Sequence, residues 1–167
     1  MIYKMEGRIM RRRLDAFFQK FENKSLEDYF ELNQNDGSLK VCVDRIHENE
    51  MILTIQKQKE CPVYDFDVLP LELSRMISVY NAQIIHMQLK IVFSPDYPFS
   101  QPIWSLMNVE QTFLSPPINL QDYYSYLVDN HNSQYSIFWT PAIDVEKDIL
   151  DFIRKINYFE YLYQPQY

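Results

Sequence analysis

Few side chains in this sequence could act as nucleophiles, general bases or metal ligands, and they lie far apart. The chain has two cysteines and three histidines: Cys42, Cys61, His47, His86 and His131. The cysteines are too widely separated for a CxxC site, and the scattered histidines complete no zinc-binding pattern. We therefore expect no metal ion and no cofactor. A disulfide between the two cysteines remains open, but the sequence favours a reduced intracellular protein, cytoplasmic or nuclear.

For each of these candidates a structural interpretation is preferred to a catalytic one. Cys42 falls within a predicted strand and is expected to be a buried apolar residue, the usual state of a free cysteine. Cys61 precedes Pro62 in an irregular stretch and has no evident activating partner. His131, within "DNHNSQ", is expected to be a solvated loop histidine. The sequence thus predicts no catalytic residue.

Composition and charge exclude further classes of function. Gly7 and Gly37 are the only glycines among 167 residues, so Gly-rich phosphate-binding loops are excluded. The net charge of −7 disfavours nucleic acid as a partner. Residues 1–24 nevertheless carry seven Lys or Arg against three Asp or Glu, and this basic segment could meet an acidic protein surface. No apolar stretch approaches 18 residues, so we expect no membrane partner.

Hydrophobic periodicity predicts the elements that must position these residues. An N-terminal helix is predicted over residues 9–30, because four apolar residues recur at helical spacing: Leu14, Phe17, Phe18 and Phe21. Alternating stretches predict an antiparallel meander of about four strands over residues 38–108. In its first strand the residues expected to face the core are Leu39, Val41 and Val43, with Ile46 as a fourth candidate.

The C-terminal helix has the clearest signals. It is predicted over residues 143–158, with one apolar face formed by Ile149, Ile153 and Ile156. Its first turns are acidic, and Asp151 and Lys155 are spaced as an i, i+4 ion pair. Residues 60–83 and 111–136 are predicted to be insertions, the first with a short helix after Pro70 and the second with a helical piece near "LQDYYSYLVDN". The chain is predicted to be a single α+β domain over residues 1–167.

Two short motifs in this chain resemble those of the ubiquitin-conjugating enzymes. These enzymes carry Tyr-Pro-Phe-x-x-Pro after their third strand and Trp-Ser-Pro-Ala before their second helix. The residues that match are Tyr97, Pro98, Phe99 and Pro102, then Trp139, Pro141 and Ala142, with Thr140 in place of serine. The resemblance implies the fold of these enzymes, which RWD domains share without catalysis. It covers most of the chain in outline, but residues 111–136 match poorly.

The same resemblance implies a catalytic cysteine and a His-Pro-Asn segment between the motifs, and both are missing. In the family the thiolate takes ubiquitin as a thioester, and the asparagine steadies the oxyanion formed when a lysine attacks. No cysteine lies between Pro102 and Trp139, and the family spacing falls on Tyr126, His131 or Ser133. Where His-Pro-Asn is expected the chain has "SPPIN", ending at Asn119. We therefore expect an inactive relative of these enzymes.

The resemblance also implies a surface that binds ubiquitin ligases. In the family this surface combines basic residues of the first helix with the Phe and the Pro-Ala of the two motifs. In this sequence it would consist of Phe99, Pro141, Ala142 and arginines from among Arg8, Arg11, Arg12 and Arg13. The remaining motif residues are expected to be structural: Tyr97, Pro98, Pro102 and Trp139. Alternatively, Phe99 packs inward and the arginines form a solvated helix face.

These observations predict a non-catalytic protein-interaction module without a small-molecule substrate. Its partner would be a RING-type ubiquitin ligase, an active conjugating enzyme or ubiquitin itself. One alternative is a divergent conjugating enzyme that uses Cys61 or an unrecognised nucleophile. The other is an RWD-like architectural subunit unrelated to ubiquitin, which would dock through its basic helix and the tyrosine-rich sequence "NYFEYLYQPQY".

Overall fold

The computed structural model describes residues 3–22, 26, 39–58, 84–111 and 120–162. These residues form a helix, an antiparallel sheet and two further helices. In chain order the elements are α1 Tyr3–Phe21, β1 Leu39–His47, β2 Glu50–Gln58, β3 Ile84–Val92, β4 Ile103–Gln111, α2 Leu120–Phe138 and α3 Val145–Leu162. The predicted α+β layout is confirmed. The predicted insertion at 60–83, including its short helix, lies outside the described residues.

The sheet is a meander in the order β1-β2-β3-β4, and every neighbouring pair is antiparallel. A two-residue turn at 48–49 joins β1 to β2 as a hairpin, which agrees with the predicted antiparallel meander. The period of two along each strand brings one set of apolar side chains to the core face: Val41, Leu53, Ile55, Met87, Leu89 and Ile91. Buried residues of all three helices join them in one core cluster.

The candidate inward residue Ile46 does not face the core, since 47% of it is exposed. The pairing of β1 with β2 shifts by one residue at this point, and Ile46 is left unpaired in a bulge. Arg45 instead stands opposite the buried Met51. Its guanidinium is bonded to Asp15 and lies 5.4 Å from the ring centroid of Phe18, so that it connects β1 to α1.

Helix α1 differs from its predicted bounds at both ends. It begins at Tyr3 rather than near residue 9, and it ends at Phe21 rather than near residue 30. The added first turns contain Gly7 but no proline, and one glycine costs a helix only about 1 kcal/mol. Asn and Ser follow soon after Phe21, and such residues compete for backbone hydrogen bonds and favour helix ends. The predicted stripe is present, with Leu14 and Phe17 buried.

Helix α2 is longer than the helical piece predicted within the insertion at 111–136. The expected helical piece near residues 120–130 is part of a 19-residue helix that continues to Phe138. Sequence reasoning overlooked one signal, an apolar stripe at i, i+3, i+4, i+7 and i+11: Tyr124, Leu127, Val128, His131 and Tyr135, all buried. The polar run "DNHNSQ" hid this stripe because the one buried residue within the run is His131. Residues 112–119 lie outside the described part.

Helix α2 also closes the free edge of the sheet at β4. The Asn132 side chain accepts a hydrogen bond from the Trp104 backbone N at 3.0 Å and donates one to the Trp104 backbone O at 2.8 Å. Gln101 Nε2 donates to the Asn132 backbone O at 3.1 Å. One side-chain amide thereby takes the place of a neighbouring strand, which protects an edge that would otherwise pair with other chains.

Helix α3 confirms the predicted C-terminal helix, and the predicted apolar face of Ile149, Ile153 and Ile156 is buried, together with Phe152. The helix begins at Val145 because Asp144 is its N-cap, with the carboxylate accepting from Lys147 N at 2.8 Å. The predicted Asp151–Lys155 pair is not among the ion pairs between described residues. Asp151 accepts from the Tyr135 hydroxyl at 2.7 Å instead, and Lys155 turns towards His131.

Candidate functional site

The segment between β3 and β4, residues 94–102, is held in one shape and is called the elbow here. Its backbone folds back on itself through hydrogen bonds from Tyr97 N to Ser94 O at 3.0 Å and from Phe99 N to Asp96 O at 2.7 Å. The peptide bond between Tyr97 and Pro98 is cis. Tyr97 is only 1% exposed, and its ring meets that of Phe93 edge-on at 4.9 Å. The elbow is therefore anchored in the core.

Trp139 fastens the elbow to the C-terminal end of α2. Its indole Nε1 donates to the Pro98 carbonyl at 2.8 Å, and its backbone N donates to Tyr135 O at 2.9 Å. The indole also contacts the rings of Tyr97 and Tyr135, with centroid distances of 6.0 and 5.4 Å. Pro98 and Pro102 are buried. The four residues expected to be structural thus lie at or beside the packed base of the elbow.

Phe99 points away from this base and is 72% exposed. Pro141 and Ala142 are also exposed, in a turn closed by a bond from Ile143 N to Thr140 O at 3.0 Å. Arg13 of α1 donates to the Pro141 carbonyl at 2.8 Å. The first helix, the elbow and the Pro-Ala turn are therefore connected through hydrogen bonds, so the three predicted parts of the surface lie on linked segments.

The structure resolves which first-helix arginine meets the Pro-Ala turn. Arg8, Arg11 and Arg12 are exposed on α1, and Arg11 makes a bond to Gly7 O at 3.2 Å and an ion pair with Glu48 at 3.7 Å. Arg13, whose register the sequence left open, is the arginine bonded to Pro141.

Two further exposed apolar side chains beside Trp139 were missed in the sequence. Ile137 is 75% exposed and Phe138 is 70% exposed, and both precede the tryptophan that binds Pro98. Ile137 falls outside the buried stripe of α2, whereas Phe138 continues its spacing at i+3 from Tyr135 and is exposed all the same. An apolar Ile-Phe pair directly before Trp139 was the available signal. Exposed large apolar groups beside one another are typical of interaction surfaces.

His131 contradicts its prediction as a solvated loop residue, because it lies in α2 and is 0% exposed. Its Nε2 is 2.7 Å from Asp148 Oδ1, and its Nδ1 is 3.0 Å from Lys155 Nζ. Trp104 Nε1 donates to the other carboxylate oxygen of Asp148 at 3.0 Å. Because a charged ammonium can only donate, Nδ1 is the acceptor and Nε2 carries the proton that bonds Asp148. These contacts form a buried polar network joining β4, α2 and α3.

Burial sets the electrostatics of this network. Desolvation raises the pKa of Asp148, against the opposing effect of the hydrogen bonds from His131 and Trp104. Desolvation also lowers the pKa of Lys155, although the nearby carboxylates of Asp151 and Asp148 favour its charged form. A His–Asp pair can serve as a general base, but this imidazole has no exposed surface through which to reach a substrate. The network therefore links β4, α2 and α3 in the interior of the protein.

The positions that the family spacing offers for a nucleophile all lie on α2 and carry no thiol. Tyr126 is 60% exposed, Ser133 is exposed and His131 is buried. Cys42 was expected to be buried, but it is exposed on β1, opposite Thr54. Val41 occupies the core face, so the next residue must lie on the opposite face of the strand. Cys61 and Asn119 lie outside the described residues.

No helix among the described residues is long and apolar enough to cross a membrane. Within the same part of the chain, no three His, Cys, Asp or Glu side chains come together as a metal site would require.

Comparison with known proteins returned no matching family model, no matching curated protein and no matching solved structure. The resemblance to the ubiquitin-conjugating enzymes therefore rests on the two sequence motifs.

Proposed function

We propose that this protein is a non-catalytic, ubiquitin-conjugating-enzyme-like interaction module that binds a RING-type ubiquitin ligase. The alternative partners within the ubiquitin pathway are an active conjugating enzyme and ubiquitin itself. One observation carries the proposal: the exposed Phe99 sits on an elbow fixed to Trp139, and the following Pro-Ala turn is bonded to α1 through Arg13. These are the segments in which the motif resemblance places ligase contacts.

The elbow suits Phe99 to serve as a binding anchor. Its backbone is fixed by the bonds to Ser94 and Asp96 and by the bond from Trp139 to Pro98. An aromatic ring on a fixed backbone loses little conformational freedom when a partner covers it, so more of the burial energy remains as affinity. Aromatic and arginine side chains also dominate the energetics of most interfaces. The geometry thus supports a hot spot at Phe99.

Charge complementarity supports an acidic partner surface. Helix α1 exposes Arg8 and Arg12 in a protein whose total charge is −7. A localised positive face on a negative molecule orients its encounter with a partner of complementary charge and raises the association rate at low salt.

The proposed absence of catalysis rests on where nucleophilic groups lie. The exposed thiol of Cys42 is on β1, at the opposite edge of the sheet from β4 and α2. The imidazole of His131 is sealed inside the protein. A divergent conjugating enzyme remains the alternative, and incubation with activating enzyme, ATP and ubiquitin tests it. A ubiquitin adduct that is released by thiol reductant would overturn the non-catalytic proposal.

The central test is Phe99→Ala, with binding to a panel of RING domains measured by isothermal titration calorimetry. We expect affinity for the cognate ligase to fall about 30-fold, the size of a hot-spot truncation. The thermal unfolding temperature should stay unchanged because Phe99 is mostly exposed. Tyr126→Ala is the matched control, since it removes another exposed aromatic from a different surface. Unchanged affinity for every ligase that binds the wild type, or no binding by the wild type, would refute the proposal.

A second pair of variants separates the electrostatic part of the proposal. Arg12→Glu reverses an exposed charge on α1, whereas Lys40→Glu reverses one on the outward face of β1. Arg12→Glu should lower the association rate with the ligase and make that rate less dependent on salt concentration, and Lys40→Glu should change neither. Equal effects of the two would mean that α1 is not part of the interface. An architectural subunit would instead be recovered from cells with one stable partner unrelated to ubiquitin.

A further inference from the structure

Lys155 of α3 lies at the outer end of the buried polar network. Its side chain is partly exposed, whereas the two residues behind it, His131 and Asp148, are buried. Lys155 Nζ is 3.0 Å from His131 Nδ1, and His131 Nε2 is 2.7 Å from Asp148 Oδ1. The three groups therefore form a chain of hydrogen bonds that runs from a partly exposed amine to a buried carboxylate.

The order of these groups, amine, imidazole and carboxylate, is that of a nucleophile, its base and the group that orients the base. Activated nucleophiles in proteins have a base within hydrogen-bond reach, and a third group holds that base in position. Asp148 is itself held by Trp104, whose Nε1 donates to its second oxygen at 3.0 Å. The position of the imidazole is thus fixed from β4 as well as from α3.

The tautomer of His131 leaves Nδ1 free to take a proton from Lys155. Nε2 carries the proton that bonds Asp148, so the lone pair of Nδ1 faces the amine. The ring is 0% exposed, and within the described part of the chain the hydrogen-bond donor to Nδ1 is Lys155 Nζ. A proton that leaves the amine therefore has an acceptor already in place.

The surroundings of Lys155 favour the neutral amine, which is the nucleophilic form of lysine. Burial lowers the pKa of Lys155, although the carboxylates of Asp151 and Asp148 favour the ammonium. Asp151 also accepts from the Tyr135 hydroxyl at 2.7 Å and lies 4.0 Å from Arg154. The Tyr135 ring covers the amine, with its centroid 5.6 Å from Nζ. The nearest competing carboxylate is thus shared with two other partners.

This arrangement favours acyl transfer over the other common reaction of lysine, imine formation. An amine that attacks an acyl carbon must lose a proton as the amide forms, and a neighbouring base takes that proton. Imine formation instead needs an acid to expel the carbonyl oxygen as water, and Nδ1 has no proton to give. Among acyl donors, a thioester reacts with amines far more readily than an oxygen ester does. The partial exposure of Lys155 favours a small acyl group.

We propose that Lys155 is a modification site that takes a small acyl group from a thioester, with His131 as proton acceptor and Asp148 as its positioning residue. The neutral amine attacks the thioester carbonyl carbon, a C–N bond forms, the C–S bond breaks and the thiolate leaves. The proton lost by the amine passes to His131 Nδ1, and Asp148 stabilises the imidazolium. The product is an amide on Lys155, formed once per chain without turnover. This modification goes beyond the proposed function and does not depend on a ligase.

The direct test is competitive acetylation of the full chain by a small uncharged thioester, S-acetyl-N-acetylcysteamine. After brief exposure, the remaining lysines are acetylated in denaturant with deuterated acetic anhydride, and peptide mass spectrometry gives the rate at each lysine. Lys155 should react at least about tenfold faster than Lys147, an exposed lysine of the same helix, because a positioned base contributes about 10²–10⁴-fold. An equal or slower rate at Lys155 would overturn the proposal.

The pH profile separates an activated amine from one that is merely accessible. The rate at Lys147 should keep rising as the pH approaches about 10.4, the ordinary pKa of lysine. The rate at Lys155 should level off at lower pH, because burial lowers the pKa of this amine. Parallel profiles for the two lysines would contradict the proposal.

Asp148→Asn tests the part played by His131 while keeping the imidazole. The new amide can donate to Nε2, which favours the tautomer with its proton on Nδ1, and that nitrogen no longer accepts from Lys155. We expect the rate at Lys155 to fall at least about tenfold and the rate at Lys147 to stay unchanged. Asn132→Ala is the matched control, since it breaks bonds between α2 and β4 outside the network. A wild-type rate in Asp148→Asn, or an equal loss in Asn132→Ala, would overturn the proposed proton transfer.

Failure of this inference is distinguishable from failure of the proposed function. Phe99→Ala should leave the rate at Lys155 unchanged, because Phe99 points away from the protein interior. If Lys155 reacts no faster than Lys147 while Phe99→Ala weakens ligase binding, the acylation site falls and the ligase function stands. If Lys155 reacts as expected while no ligase binds, the acylation site stands and the ligase function falls.

Discussion

Removal of the Asp148 carboxylate tests the energetic role of the buried polar network. Asp148 is 2% exposed and accepts two hydrogen bonds, from Trp104 at 3.0 Å and from His131 at 2.7 Å. In Asp148→Ala both donors remain buried without an acceptor, and Lys155 loses the second of the two carboxylates that favour its charged form, while Asp151 remains. The helix itself should persist, since alanine has the highest helix propensity.

The magnitude follows from these contacts. Each buried donor left unpaired costs about 1–3 kcal/mol. Part of this loss is offset, because burial already raises the pKa of Asp148 and the variant no longer keeps a charge out of water. We therefore expect Asp148→Ala to lose about 2–4 kcal/mol of unfolding free energy. For a chain of this size that corresponds to a fall of about 4–16 °C in the midpoint of thermal unfolding.

Urea denaturation followed by circular dichroism measures this loss, and two further variants make the result specific. Asp148→Asn keeps one acceptor oxygen, so its stability should lie between wild type and alanine. Asp129→Ala removes an exposed carboxylate from α2 and should stay within about 0.5 kcal/mol of wild type. A loss below about 1 kcal/mol for Asp148→Ala, or a more stable Asp148→Ala than Asp148→Asn, would refute the reasoning.

Three further predictions concern the sheet edge, the elbow and alkaline pH. Asn132→Ala removes both hydrogen bonds to the Trp104 backbone. We expect it to lower the free energy of unfolding by about 2 kcal/mol and to speed hydrogen exchange at the Trp104 amide. Unchanged exchange at this amide would contradict the proposal that Asn132 caps the sheet edge. Trp139→Phe removes the hydrogen bond to the Pro98 carbonyl. It should lower the free energy of unfolding, measured by urea denaturation, by about 1 kcal/mol, and it should also weaken any binding that depends on the elbow. Burial raises the pKa of Tyr97 from 10.0 to about 12. The protonated hydroxyl therefore contributes stability that is fully present below pH 10 and is lost as the pH rises towards 12. The free energy of unfolding should fall by at most about 1.4 kcal/mol per pH unit over this range. Urea midpoints between pH 8 and 11.5 should therefore fall less steeply in Tyr97→Phe than in wild type, and parallel curves would exclude this linkage.

Much of the fold was predictable because local periodicity determines it. The alternation in β1 to β4 and the i, i+3, i+4 stripes of α1 and α3 specify which face of each element is apolar, and short connections favour antiparallel neighbours. The motif around Tyr97 and the one at Trp139 could also be identified directly. Bounds were less accurate, as α1 shows, since the ends of a helix depend on capping and on tertiary contacts.

The sequence by itself determined the α+β class, the order of α1, the four strands and α3, and the absence of a thiol between Pro102 and Trp139. Only the tertiary structure decided which side chains are buried and which are exposed to solvent. His131 is buried because Asp148 and Lys155, both from α3, satisfy its two nitrogens, a pairing that no local pattern reveals. Phe99 is exposed because Tyr97 occupies the core beneath the elbow. The burial of a side chain and the identity of its hydrogen-bond partners depend on residues distant in the chain, so local sequence patterns do not specify them.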